Sequence, residues 1–425
     1  MERQITERTG DFWISPARPC DEPIDVTVVI PSFENETTLR RAIASVLAQS
    51  LRNIEIIVGD DASTDGSWRL VTEWLPEEPR LRAFRNHRNC GKSAVMNRAL
   101  SFARGRWIAV LDADDWYHPD RLATLVEIGT TSQADIVADN QFLYDAAADT
   151  VISPAWPAAD ANWPLTFDDY LLGSNVYDNF DFGMLKPLVR TEFVRSTQLA
   201  YDERARYGED FLYLLQFFIL GGKATICAAP YYFYTQPYGT LSRQWSHPTR
   251  RRYDFQLARD LTQCYLRANA GRLTPHQSRQ LKRRVRRLAS LESYFCAKES
   301  LQRHEWRGLL RRLVDRPAML DCIGRRLWRR CARRAATPAA VHAAELCRQR
   351  AAGGLSAPSD RQRIPFPMPV RGNARRVREW RILWQRAAAS PGMAGNALTA
   401  VPLFGGKTGP AIAVAAIGSM LALLL

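Results

Sequence analysis

Val26-Thr27-Val28-Val29-Ile30-Pro31-Ser32-Phe33 is the stretch on which the fold turns. Its first five residues are β-branched and uncharged, which suits a strand buried on both faces, and Pro31 ends the run. Between Glu36 and Gln49, Leu39, Ile43, Val46 and Leu47 recur at helical spacing. Ile54-Glu55-Ile56-Ile57-Val58 is the next strand, closed by Gly59. Ser63 is placed to cap a helix through Leu75. A short strand spans Leu81 to Phe84, a helix follows from Lys92 to Ala103, and Gly105 ends it. Trp107-Ile108-Ala109-Val110-Leu111 is the third strong strand. Pro119 to Ile128 reads as helix and Ala134 to Ala138 as strand. This alternation predicts an α/β fold, a mostly parallel sheet flanked by helices. Ligands of such sheets bind at the carboxyl ends of the strands. The residues after Ile30, Val58 and Leu111 are therefore the first to inspect.

The pattern loosens beyond Ala138. Val151 to Leu172 is rich in Pro and Trp and reads as loop. Glu209 to Leu220 reads as helix, with short strands at Thr225-Ile226 and Tyr231 to Tyr234. Past Trp245 the texture changes to arginine-dense helices: Arg250 to Ala268, Pro275 to Lys298, Glu305 to Val314 and Cys322 to Arg334. Gly353 to Gly372 has the Pro, Gly and Ser content of a linker. The expected organisation is an N-terminal extension (1–24), a catalytic domain (25–245), a basic helical region (246–352), a linker-like basic segment (353–408) and an apolar tail (409–425).

A chain of 425 residues exceeds the size at which one core stops growing, about 250–300 residues, so more than one domain is expected. With 46% hydrophobic and 24% charged residues it is globular, which excludes a disordered or collagen-like chain. The opening Met1 to Arg8 has acids and no apolar core, so no secretory signal is expected. The eight cysteines include no Cys-x-x-Cys, which argues against a zinc site or redox dithiol. The net charge of +14 is unevenly spread. From His247 onward there are 35 Lys and Arg against 10 Asp and Glu, a net of +25, and the first 246 residues carry −11. Two parts with different partners are implied. Gly409 to Leu425 is a run of 17 uncharged residues, short of the roughly 20 that span a bilayer.

Five stretches carry candidate chemistry. Leu111-Asp112-Ala113-Asp114-Asp115 follows the third strand, and alternate residues of an extended segment point the same way. Asp112 and Asp114 then share a site suited to a hard cation, Mg²⁺ or Mn²⁺, held jointly with phosphate oxygens. An acidic turn that caps a helix is the alternative. In Gly59-Asp60-Asp61-Ala62-Ser63-Thr64-Asp65-Gly66, Asp61 is placed to accept from a nucleobase N–H, or Ser63 and Asp65 simply cap. Phe33 can stack on a base or belong to the core. Gly91 and Lys92 open a helix whose N-terminus favours an anion, without the spacing of a P-loop. Asp210, in Gly208-Glu209-Asp210, is a general base or only a charge on a helix dipole.

Taken together, and in this order, the five segments resemble family 2 glycosyltransferases with the GT-A nucleotide-diphospho-sugar transferase fold, from about Asp25 to Trp245. Phe182-Gly183-Met184-Leu185-Lys186-Pro187-Leu188-Val189-Arg190 is similar to members that build bacterial exopolysaccharides of the succinoglycan kind. The resemblance implies nucleotide contacts at Pro31, Phe33 and Asp61, with Lys92 adding charge at the anion site. It implies Asp112 at the ribose and diphosphate and as a metal ligand beside Asp114, and Asp210 as catalytic base. Two departures stand out. The family's first motif has Asn after the aromatic residue, where this chain has Glu34. The Gln-x-x-Arg-Trp of processive members is absent, and Leu241-Ser242-Arg243-Gln244-Trp245 has similar residues at another spacing. A non-processive enzyme is therefore expected, with Arg243 near the diphosphate.

The implied reaction is an inverting, metal-dependent transfer from a nucleotide-diphospho-sugar, with a UDP-sugar the expected donor, to a lipid-linked or polysaccharide acceptor. A cytoplasmic enzyme is expected, held at the inner face of the membrane by its basic C-terminal half. Three other readings compete, one of them a non-catalytic scaffold that kept only the fold, against which Asp114 and Asp210 argue. A sugar nucleotidyltransferase of the same fold would lack the base at Asp210. A basic nucleic-acid-binding protein would explain the arginines, but no helix-turn-helix, zinc finger or RNP motif is present, so no nucleic acid is expected.

Overall fold

Alternate residues of Val26–Ser32 face opposite ways, and both ways lead into core. Val28 and Ile30 pack with Leu39, Ile43, Val46, Leu70 and Val71 on one face. Val29 packs with Ile57, Phe84, Val95 and Met96 on the other. That is why an uninterrupted apolar run can be a central strand. The computed structural model describes residues 7–9, 12–15, 23–146, 148–156, 161–174, 182–236 and 254–302. They fall into two compact units, one ending at Arg284 and the other holding Val285 to Gln302 of the described chain.

The strands of the first unit are β1 (Glu7–Thr9), β2 (Phe12–Ile14), β3 (Val26–Ser32), β4 (Ile54–Asp60), β5 (Leu81–Asn86), β6 (Trp107–Val110), β7 (Trp116–Tyr117), β8 (Ile136–Asp145), β9 (Thr150–Pro154), β10 (Trp163–Leu165), β11 (Leu188–Arg190) and β12 (Ala224–Gln236). The helices are α1 (Leu39–Leu47), α2 (Ser67–Trp74), α3 (Lys92–Phe102), α4 (Arg121–Thr131), α5 (Phe167–Gly173), α6 (Thr191–Thr197), α7 (Glu209–Ile219) and α8 (Phe255–Ala268), while α9 (Pro275–Gln302) runs into the second unit. The sheet order is β1-β2-β5-β4-β3-β6-β11-β8-β12-β10, with β7 on β12 and β9 on β8. Its centre, β5-β4-β3-β6, is parallel, as the sequence predicts. β11 enters antiparallel between β6 and β8, and β12 then pairs parallel with β8.

Three expectations needed correction. Ser63 does not cap the second helix, which starts at Ser67; its hydroxyl instead accepts the Glu34 N–H at 3.0 Å. The Pro- and Trp-rich stretch from Val151 contains β10 and α5, whose N-cap Thr166 accepts from the Asp169 N–H. The two short strands near Thr225 and Tyr231 are one, β12, with register shifts on either side of Pro230. The expected helices at 305–314 and 322–334, the linker at 353–372, the apolar tail, Arg243 and the boundary at Trp245 lie outside the described residues.

Candidate active site

The strand ends are tied together before any ligand is considered. Asp61 N–H donates to the Ser32 carbonyl at 2.9 Å, which keeps Pro31 and half-buried Phe33 beside it. Asp61 accepts three hydrogen bonds, from the Asn86 amide at 2.7 Å and from the backbone N–H groups of Cys90 (2.8 Å) and Gly91 (2.7 Å). It thereby fixes the loop that leads into α3. Carboxylate oxygens have further lone pairs, so a ligand N–H can still be accepted. Gly91 sits at φ 90°, and a Cβ there would run into the Arg206 guanidinium. Glu34 takes the place of the family's Asn at φ 56°, and its carboxylate accepts from the Thr64 N–H (2.7 Å) and hydroxyl (2.9 Å). Asn35, one residue later, accepts from the Phe33 N–H at 3.1 Å. The first two strand ends are thus bound to each other by side chains.

The acid turn after β6 is fixed from far along the chain. Asp115 is buried, and it accepts from the Tyr232 hydroxyl at 2.6 Å and the Thr235 N–H at 2.8 Å. The Thr235 hydroxyl (2.6 Å) and Arg41 (3.1 Å) both donate to the Asp114 carbonyl. Burial, then Asp114 and Asp112, push the Asp115 carboxyl well above its usual range. Asp115 is a structural anchor of the turn. Asp112 and Asp114 are left half-buried at the strand end.

Two helix N-termini meet this turn. Gly91 and Gly208, both at positive φ, are the N-caps of α3 and α7. Glu209 and Asp210 complement the helix dipole at the start of α7. Lys92, the first residue of α3, is a cation at a positive helix end and needs compensation. Its Nζ lies 2.9 Å from Asp112, 3.3 Å from Glu209 and 3.3 Å from Asp210. Lys186, from the segment between the 3-10 turn Phe182–Met184 and β11, adds contacts of 2.8 Å to Asp112 and 2.5 Å to Asp210. Two ammonium groups and two carboxylates alternate in one ring.

The charges perturb one another accordingly. Burial opposes ionisation of Asp112, but Lys186 and Lys92 outweigh it and hold its carboxyl well below the usual range. Burial likewise opposes the charge on Lys92 and Lys186, and the surrounding carboxylates raise both ammonium groups regardless. Asp114 is raised, by burial and then by Asp112. Glu209 is raised by burial, with Lys92 partly opposing.

The cluster fits a divalent cation. One carboxylate oxygen from each of Asp112, Asp114 and Asp115 lies within 4.8 Å of the others, an all-oxygen set suited to Mg²⁺ or Mn²⁺. Asp114 enters no ion pair among the described residues. Among the described residues, Asp112, Glu209 and Asp210 share two ammonium groups, and Asp114 has no ion-pair partner to neutralise it.

The structure therefore gathers Lys92, Asp112, Asp114 and Asp210 in one place, and sets Pro31, Phe33 and Asp61 at the neighbouring strand ends. Lys186 has no role in the sequence reading. A lone lysine before proline has no periodicity, and its partners are distant in sequence. Arg121 was missed likewise. Fully buried, it donates to Asp139 at 2.7 Å and to the Lys186 carbonyl at 2.6 Å, and so positions the segment that delivers Lys186.

Comparison with known proteins supplies the family. Residues 27–169 match the model of "Glycosyl transferase family 2". Over 305 residues the chain is 32% identical to the succinoglycan biosynthesis protein ExoO of Rhizobium meliloti, covering 71% of this chain and 84% of that protein. It is 29% identical over 118 residues to the Escherichia coli UDP-Glc:alpha-D-GlcNAc-diphosphoundecaprenol beta-1,3-glucosyltransferase WfaP, covering 28% of this chain and 46% of that one. Among solved structures, S. aureus TarS 1-349 in complex with UDP-GlcNAc superposes with a TM-score of 0.51 at 18% identity, over 69% of this chain and 80% of that chain. That last likeness is one of fold. With the ExoO match spanning most of both chains, the protein belongs to glycosyl transferase family 2 and is a glycosyltransferase.

Proposed function

We propose that this glycosyltransferase moves a single sugar, with inversion, from a nucleotide-diphospho-sugar to a lipid-linked or saccharide acceptor in cell-surface polysaccharide synthesis. A UDP-sugar is the donor we favour. The observation that carries the reading is the meeting of Asp112 and Asp210 around Lys92, with Asp114 beside Asp112. Inverting transfer is one in-line displacement at the anomeric carbon. It needs negative charge accepted at the leaving diphosphate and a carboxylate that takes the acceptor's hydroxyl proton. Asp112 and Asp114 would hold Mn²⁺ or Mg²⁺, whose contribution is Lewis-acid neutralisation of the leaving group. Lys92 and the N-terminus of α3 add positive potential there. Asp61, Pro31 and Phe33 would receive the nucleoside, and Asp210 would take the proton. Arg243 remains a proposed diphosphate contact on the sequence resemblance alone. The likeness to ExoO and WfaP supports the acceptor class.

The test is transfer from a panel of nucleotide-sugars, with the anomeric configuration of the product read by NMR. EDTA is expected to abolish transfer and Mn²⁺ or Mg²⁺ to restore it. Asp114→Asn is expected to lose activity with its circular dichroism unchanged. Full activity in EDTA, or an active Asp114→Asn enzyme, overturns the metal assignment, and a retained configuration overturns inversion.

Membrane contact through the basic back half belongs to the same proposal. Among the described residues no helix is long and apolar enough to cross a membrane. α9 does expose Arg279, Lys282 and Arg283, spaced along one helix face. Each basic residue near an anionic leaflet contributes about 1 kcal/mol, screened by salt. Flotation is expected to show binding to anionic liposomes at low salt, release at high salt, and weaker binding when Arg279, Lys282 and Arg283 are all replaced by Gln. A full-length protein that ignores anionic liposomes at low salt contradicts surface binding at the inner face of the cytoplasmic membrane.

A further inference from the structure

Lys186 is held more firmly than a solvated lysine. Its carbonyl accepts from the buried Arg121, and the nearby Met184 carbonyl accepts from the Gln141 amide at 3.2 Å. Only 6% of its side chain is exposed. An ammonium group this buried is tolerable only with close counter-charges. Those are Asp112 Oδ2 at 2.8 Å and Asp210 Oδ2 at 2.5 Å. Lys92 reaches the same Asp210 oxygen at 3.3 Å and the other Asp112 oxygen at 2.9 Å. Asp210 Oδ2 is thus held by two ammonium groups, and its other oxygen is left for an acceptor hydroxyl. An incoming diphosphate brings two negative charges to this place. It is the one partner of the reaction able to compete with Asp210 for a lysine.

We propose that Lys186 is a positioning residue that exchanges partners in the reaction cycle. Before the donor binds, it ties Asp210 to Asp112. When the diphosphate arrives beside Asp112, Lys186 turns to a phosphate oxygen and leaves Asp210 with Lys92 as its remaining ammonium partner. The inference rests on the donor reading above and adds that Asp210 loses one of its two ammonium partners when the diphosphate binds.

The test is calorimetric binding of nucleoside diphosphates and monophosphates (uridine, guanosine, adenosine, cytidine and thymidine) to the full chain with Mn²⁺. For the diphosphate that binds wild type, Lys186→Met is expected to lose affinity on the order of 10- to 100-fold, the worth of a charge-assisted hydrogen bond. The matching monophosphate should lose much less, and Lys186→Arg should recover most of the loss. A lysine that only stabilises the fold would lower the melting temperature and leave the diphosphate-to-monophosphate preference unchanged. If Lys186→Met does not fold, the same measurement is made in the Asp210→Asn background, where one carboxylate fewer needs the lysine. Unchanged diphosphate affinity in the Met variant overturns the exchange and leaves the donor reading standing. Wild type that binds none of the diphosphates overturns both.

Discussion

Asp210→Asn is expected to lower turnover by roughly 10²–10⁴-fold, the usual contribution of a general base, with nucleotide-sugar binding kept. The substitution is nearly isosteric. The amide oxygen can still accept from Lys186 and Lys92, which approach Asp210 at 2.5 and 3.3 Å, so the ring of contacts has a means of persisting. What is lost is a group that can take a proton from the acceptor. Steady-state turnover together with donor affinity separates the two effects. Wild-type turnover in this variant would move the base elsewhere, and Glu209, 3.3 Å from Lys92, is the next candidate.

Asp139→Ala is expected to be the most damaging single change to stability. Arg121 is fully buried, with its guanidinium 4.2 Å from the Tyr117 ring centroid, and Asp139 is its carboxylate partner through three contacts of 2.7–3.2 Å. Removing one member of such a pair leaves an unpaired buried charge, which costs about 3–5 kcal/mol. The midpoint of urea unfolding should fall sharply. A double variant, Arg121→Met with Asp139→Leu, should recover part of the loss because it removes the stranded charge. A midpoint close to wild type for Asp139→Ala would show that Arg121 finds other compensation. The change should also disturb the site, because Arg121 holds the Lys186 carbonyl.

The parts of the fold that were legible in sequence are those where one short run carries its own signal. Val26 to Ile30 and Ile54 to Val58 carry apolar side chains on both faces, with only Thr27 and Glu55 polar, because helices cover both faces, and they could be assigned as strands without knowing their neighbours. The carboxylates of the site were legible for a related reason, since Asp112 and Asp114 lie just past a strand end where α/β sheets bind ligands. Lys186 was not, because its significance comes from Asp112 and Asp210, which other elements deliver. Composition misled at Val151 to Leu172, where Trp163 and Leu165 are buried in a strand paired with β12 although Pro164 lies between them. In β12, Pro230 interrupts the pattern but falls at a register shift, where a missing N–H is tolerated, so one strand read as two.

The pinning of the acid turn by β12 sets a timetable for biosynthesis. Asp115 and Asp114 are held by Thr235, which lies 120 and 121 positions further along. At about 5–20 residues per second, a ribosome needs roughly 6–24 s to reach that threonine after the acidic motif is made. During that interval the parallel centre of the sheet can assemble from local pairings, while the Asp turn lacks the contacts that β12 gives it. A nascent chain therefore acquires a folded scaffold well before its acid turn is fully held, and release of a product ending before Ala224 would yield a scaffold whose acid turn lacks the β12 contacts.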